Sequence, residues 1–282
     1  MRQFILDRPI EPGGRVTLED ADYRYLVQVL RLRAGDTVEA RLPDGSLATL
    51  SIERIDPRAK TVRLSLPSGA HGSRAEVPGR AADETLAGLS MPPLPDMPRD
   101  FPKIALFQWL IKGPKMDQVI RQATEAGVAA IVPVLGERCV AGTGEGDAAS
   151  RASRWARIVR EARQQSGSPV ATLVSPPVAV SDIPGVWLRF SEGLRARALV
   201  LTEAPLARKT LHGYLDTGAD IVALAVGPEG GMSAGELDEL DRAGFLAVHF
   251  RTNILRAETA AIYGIAAVQS AVTESEKWQS KE

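Results

Sequence analysis

The chain is poor in the residues that build disulfides and metal sites: one cysteine and three histidines in 282 residues, with only seven lysines and no apolar run longer than a strand. A lone Cys139 excludes an internal disulfide and any site built on several thiolates. His71, His212 and His249 lie far apart without an HExxH or His-x-x-His spacing, so no metal is expected. No stretch is long and apolar enough for a membrane span or a signal peptide, which predicts a soluble, cytoplasmic protein that meets no membrane. Strong charge of one sign is missing too. The 34 Lys and Arg balance 35 Asp and Glu to a net −1, so bulk charge does not point to a polyanionic partner. Those cations are 27 Arg and 7 Lys, and Arg is the side chain that grips phosphate bidentately and stacks on bases. A GC-rich genome produces the same bias.

What remains is ordinary globular material, 44% hydrophobic and 24% charged, at a length that predicts about two domains. Residues 1–67 read as a small β-barrel. Short apolar or alternating runs at 3–6, 15–18, 37–42, 47–55 and 61–66 are separated by turn signals such as Pro43-Asp44-Gly45-Ser46. One helix over 19–32 interrupts them, with Tyr23, Leu26, Val27 and Leu30 at helical spacing. Residues 68–100 hold five Pro and four Gly without periodicity and read as a linker or insertion. From 101 to 282, strands at 103–108, 129–135, 198–201, 221–226 and 246–250 alternate with helices at 114–126, 150–165, 233–243 and 258–273. That alternation predicts an α/β domain, a parallel sheet with helices on both faces.

Ligands of such sheets bind beyond the carboxyl ends of the strands. The apolar run ending at Val226 is followed by Gly227-Pro228-Glu229-Gly230-Gly231, and Ser233 with Glu236 forms a capping box that opens the next helix. Glycines there expose backbone donors and admit a ligand closely. Neither a Walker loop nor a GxGxxG fingerprint is present, and an ordinary strand-to-helix turn fits the same residues. A second stretch, Ile254-Leu255-Arg256-Ala257-Glu258-Thr259-Ala260, leads into a helix rich in Ala. Arg256 and Glu258 there fit either a site or a surface pair that caps the helix.

These two stretches together resemble the RsmE family of 16S rRNA uracil-N3 methyltransferases, in the knotted SPOUT superfamily. Three further segments are similar in the same order: Lys112-Gly113-Pro114-Lys115 with Gln122 to Val128; Pro133 to Val140; and Arg154-Trp155 with Glu161-Ala162 and Gln165-Ser166-Gly167. The first unit is similar to the family's PUA-like barrel through Tyr25-Leu26, Val29-Leu30-Arg31 and Gly35-Asp36. The chain departs from the pattern at Ser168, where the family usually carries Arg, at Tyr25 in place of His, and at Arg251-Thr252-Asn253 in place of Gly-Pro-Arg.

The resemblance implies a C-terminal trefoil knot holding S-adenosylmethionine between Leu201, Thr202 and Glu203, then Gly227, Pro228, Glu229, Gly230 and Gly231, and then Ile254, Leu255, Arg256 and Thr259. It also implies a homodimer through the knotted domain and 16S rRNA, or the small ribosomal subunit, as partner. Alkylating uridine N3 requires removal of its proton, which calls for a base or for cations that stabilise the anion. Arg256 is the candidate cation, Glu258 and Glu229 are candidate carboxylates, and Lys112 and Glu125 are further candidates. Arg151, Arg154, Arg157, Arg160 and Arg163 recur at every third position of one expected helix, a ridge able to track phosphates. A solvated charged face fits that row as well. Arg2, Arg24, Arg31 and Arg33 on the barrel, with Lys112, complete the expected RNA contacts. Two other functions stay open: a non-catalytic ribosome-assembly protein of the same fold, or methylation of another RNA.

Overall fold

Alternation of buried and exposed side chains sets the first five strands apart from the rest. The computed structural model describes residues 3–66, 91–97, 101–139, 148–215 and 218–277. They form two compact units, the first of which joins the early strands to Arg163–Pro169.

In the first unit, β1 (Phe4–Ile5), β2 (Arg15–Leu18), β3 (Thr37–Arg41), β4 (Leu47–Asp56) and β5 (Thr61–Ser65) make one curled sheet in the order β1-β3-β4-β5-β2. Only the β1 and β3 pair is parallel. Register places Val38 opposite Leu50, and Ile52 and Val16 opposite Leu64, so one set of alternate residues is buried. The expected hairpin turn is present: Gly45 takes φ +80°, and Asp44 accepts from the Ser46 amide at 2.9 Å and from its hydroxyl at 2.6 Å. The expected helix over 19–32 is shorter. It runs as α1 (Asp20–Tyr23) into a π-type turn (Arg24–Val29), and it stops because Arg31 adopts φ +56° while the Leu32 amide closes back on the Leu26 carbonyl at 3.0 Å. Arg41, buried beneath the sheet, is satisfied by the Gln3 side chain at 3.0 Å and by the carbonyls of Gly45 at 2.7 Å and Gly167 at 3.3 Å. This is how a segment far along the chain comes to belong to the first unit.

The second unit is built on a parallel sheet of β6 (Lys103–Trp109), β7 (Ala130–Leu135), β8 (Leu173–Val174), β9 (Val178–Ala179), β10 (Ala196–Leu201), β11 (Ile221–Val226) and β12 (Leu246–Val248). Its order is β12-β10-β11-β6-β7-β8, with β9 also pairing β7. Both faces are covered. Ile104 and Leu106 of β6 point to a cluster formed with α2 (Gly113–Glu125), α3 (Ala148–Ser166), α5 (Leu211–Leu215) and α7 (Ala257–Lys277). Ala105, Phe107 and Trp109 point to the other, formed with α4 (Ile183–Ser191) and α6 (Ala234–Arg242), where Met91 is also buried. Gly264 lets α7 lie close on the sheet, since a Cβ there would stand 2.9 Å from Leu201 Cδ1 and Leu224 Cδ2. No described helix is long and apolar enough to cross a membrane.

Candidate functional site

Strands β10, β11 and β12 are neighbours and parallel, so their carboxyl ends converge on one edge of the sheet. The loops that leave them enclose a cavity of about 490 Å³. Leu201 to Leu206 supply one wall, Val226 to Met232 a second, and the stretch from Val248 through Arg256 a third; Arg138, Leu237, Ala257 and Ala260 complete it. The volume falls in the roughly 300–1,000 Å³ typical of small-molecule sites.

Each wall is fixed by local chemistry. The capping box forms as the sequence predicts: Ser233 Oγ accepts from the Glu236 amide at 3.3 Å, and the Ser233 amide donates to Glu236 Oε2 at 2.6 Å. Gly231, at φ +68°, turns the chain into that helix. The buried Glu236 carboxylate does more than cap. Its Oε1 accepts from Trp109 Nε1 at 2.9 Å and from the Glu137 amide at 3.0 Å, so the ends of β6 and β7 are tied to the start of α6. Burial pushes its carboxyl up, but these donors outweigh the desolvation and hold it below the usual carboxylate range. Gly136 makes this possible, because a Cβ there would overlap the Trp109 ring and the Glu236 carboxylate.

On the glycine loop, Arg138 Nη1 donates to the Gly230 carbonyl at 2.9 Å. Opposite it, His249 Nδ1 donates to the Thr202 carbonyl at 3.1 Å, and the Thr202 amide donates to the Val248 carbonyl at 3.0 Å, which joins two walls. At the loop's edge, Lys115 Nζ lies 2.9 Å from Glu229 Oε1 and 3.5 Å from Glu258 Oε2. Partial burial pushes the Glu229 carboxyl up, but the Lys115 hydrogen bond overrides it and leaves the group lowered. The same bond raises the Lys115 ammonium.

Of the residues singled out from sequence, Leu201, Thr202, Glu203, the run from Gly227 to Gly231, Ile254, Leu255 and Arg256 all line the cavity. Thr259 does not; it lies on the exposed face of α7. Glu258 is buried beside Lys115, outside the lining. Lys112 and Glu125 are exposed at opposite ends of α2. Arg24, Arg31 and Arg33 are exposed on the first unit, and Arg2 lies outside the described residues. Along α3, Trp155, Ile158 and Ala162 are buried; Arg154 and Arg157 are exposed, but Arg154 pairs with Asp117, and Arg160 is half-buried. Sequence reasoning missed Arg138, Glu236's second role and the Lys115 bridge, whose partners sit 92 to 143 residues away. Among the described residues, no group of three His, Cys, Asp or Glu side chains is placed to hold a metal ion.

A model of the RNA methyltransferase domain matches residues 99–269, and one of the RNA methyltransferase PUA domain matches residues 18–65. Ribosomal RNA small subunit methyltransferase E of Mycobacterium bovis is 30% identical over 265 residues, 94% of this chain and 90% of that one. The protein of the same name from Synechocystis is 32% identical over 258 residues, 90% and 73% of the two chains. Among solved structures, ribosomal RNA small subunit methyltransferase E of Neisseria gonorrhoeae, bound to S-adenosyl methionine, is 25% identical with a TM-score of 0.72, covering 96% of this chain and 97% of that one. A methyltransferase of Legionella pneumophila in complex with the same cofactor is 26% identical with a TM-score of 0.74, covering 95% and 97%.

Proposed function

The chain belongs to the ribosomal RNA small subunit methyltransferase E family, and from that membership we propose that it methylates N3 of a uridine in 16S rRNA, with S-adenosylmethionine as donor. The observation that carries this reading is the cavity walled by three consecutive strand-end loops. Its residues fit the cofactor. The walls combine apolar side chains such as Leu206, Met232, Leu237 and Ile254 with the glycine loop, and at Gly227 and Gly230 a Cβ would stand 3.1 Å from Met232 Cγ and 3.6 Å from Arg138. Leu201, Thr202 and Glu203, the glycine loop, and Ile254 to Arg256 would hold it. When bound, the cofactor supplies an electrophilic methyl group on a sulfonium.

The protein's part is positioning and charge. Arg256, exposed at the cavity wall, is assigned to the negative charge that develops on the uracil as its N3 proton leaves. Glu229, in the cavity wall, is the carboxylate assigned to that proton; Glu258, the other candidate, is buried outside the lining. Residues 1–67 are assigned as the RNA-binding barrel, through Arg24, Arg31 and Arg33, and residues 101–282 as the knotted catalytic domain, which acts in the cytoplasm as a homodimer.

Mass mapping of 16S rRNA from cells lacking the protein, with and without re-expression, tests substrate and reaction together. One 3-methyluridine that disappears and returns is the expected result. An unchanged modification map overturns the reading.

A further inference from the structure

One charged cluster at the border of the cavity ties α2 to the glycine loop and to the start of α7. Lys115, in the first turn of α2, sets its ammonium between two carboxylates, Glu229 Oε1 at 2.9 Å and Glu258 Oε2 at 3.5 Å. Glu229 is part of the cavity wall and about one-third exposed. Glu258 Oε2 is buried, and its longer contact with Lys115, at 3.5 Å, raises the ammonium alongside the Glu229 bond. Lys112 also acts on the cluster, drawing the Glu229 carboxyl down, and Arg256 and Arg138 belong to the same cavity wall as Glu229. One ammonium shared between two anions stays anchored to the second when it is drawn away from the first.

The edge of uracil places a carbonyl acceptor next to the N3–H donor. An ammonium beside a carboxylate presents the opposite order, donor beside acceptor. We propose that Lys115 is a catalytic residue: on entry of the acceptor base its ammonium turns from Glu229 to a uracil carbonyl oxygen, and the freed Glu229 carboxylate takes the N3 proton. This rests on the reading of uridine N3 as the methylated atom. The step balances. The N3–H bond breaks towards a Glu229 oxygen, the N3 electron pair forms the new bond to the methyl carbon, and the methyl–sulfur pair stays on sulfur, so a cation and an anion become two neutral groups. In the free protein Lys115 keeps Glu229 ionised and weakly basic; its departure strengthens the base and places positive charge on the oxygen where negative charge grows. Glu258 tethers the ammonium during the exchange.

The test uses small ribosomal subunits from cells lacking the protein, S-adenosylmethionine, and 3-methyluridine measured by mass spectrometry. Lys115→Met is expected to lower kcat about 100-fold, with cofactor affinity by calorimetry within about twofold of wild type, and Lys115→Arg to keep about a tenth of the wild-type rate. With its cation gone, the Glu229 carboxyl rises, so the acid limb of kcat/KM moves to higher pH in Lys115→Met and is lost in Glu229→Gln. A wild-type rate with an unmoved acid limb in Lys115→Met overturns the proposal. So does a loss of rate matched by an equal loss of cofactor affinity, which is the mark of a purely structural bridge. Should the wild-type protein instead yield a methylated nucleoside other than 3-methyluridine, the substrate reading fails, and this step fails with it for that separate reason.

Discussion

The two sheets solve different problems with the same backbone. In the first unit, burial alternates along β3 and β5, one face inward and the other towards solvent, so every second side chain is available for display. In the second, β11 is buried at all six positions and β6 at all but its first, because helices cover both faces. A sheet with no free face can offer a ligand only its ends. The first unit therefore presents side chains on its sheet, and it exposes Arg24, Arg31 and Arg33 on the segment between β2 and β3, whereas the second presents loops whose side chains and glycines form a wall. Substitutions should divide accordingly, with the loops intolerant of a single added atom and the display tolerant of whole side-chain losses.

The sharpest break is expected at Gly136→Ala. The methyl group collides with the Trp109 indole and the Glu236 carboxylate, so stability should fall by about 3 kcal/mol in denaturant titrations and cofactor binding should be lost. Next comes Arg256→Ala, for which about 100-fold lower kcat is expected with an unchanged melting temperature; equal losses in both would make it a structural residue. Gly230→Val should keep the fold, because its Cβ meets Arg138 only at van der Waals distance, but it adds bulk at a residue of the cavity lining. Calorimetry should read a rise in Kd of about tenfold or more, some 1.4 kcal/mol. The smallest disturbance belongs to the exposed arginines of the first unit. Replacing Arg24, Arg31 and Arg33 together by Ala should leave folding and cofactor affinity alone. It should flatten the salt dependence of RNA binding by about two to three units of slope, and an unchanged slope would show that these side chains do not touch phosphate.

Much of this was legible in the sequence because it is local. Strand β11 coincides with the expected 221–226, and the capping box at Ser233 and Glu236 forms as spaced. Missing were α4, whose buried Ile183, Val186, Trp187 and Phe190 have helical spacing but are interrupted by a Pro184-Gly185 pair that reads as a turn, the short α5, and β8 and β9, two residues each. Such short strands exist only because β7 offers them an edge, and no local pattern records that. The site divides the same way. Its glycine loop and Arg256 stretch are contiguous motifs, but the Lys115 to Glu229 bond spans 114 residues, and Trp109 to Glu236 spans 127. Nor does composition around residue 165 announce that Gly167 will meet Arg41, 126 positions earlier.

The sheet order also sets a timetable. The antiparallel strands β3, β4 and β5 are joined by short turns and can pair as soon as they are synthesised. The centre of the second sheet cannot. Strand β6 waits for β11, with Gln108 and Val226 118 residues apart, and all three walls of the cavity lie beyond residue 200. A chain emerging from the ribosome thus displays the arginines of its first unit while the cavity of the second does not yet exist, and that pocket is the last part of the molecule to form.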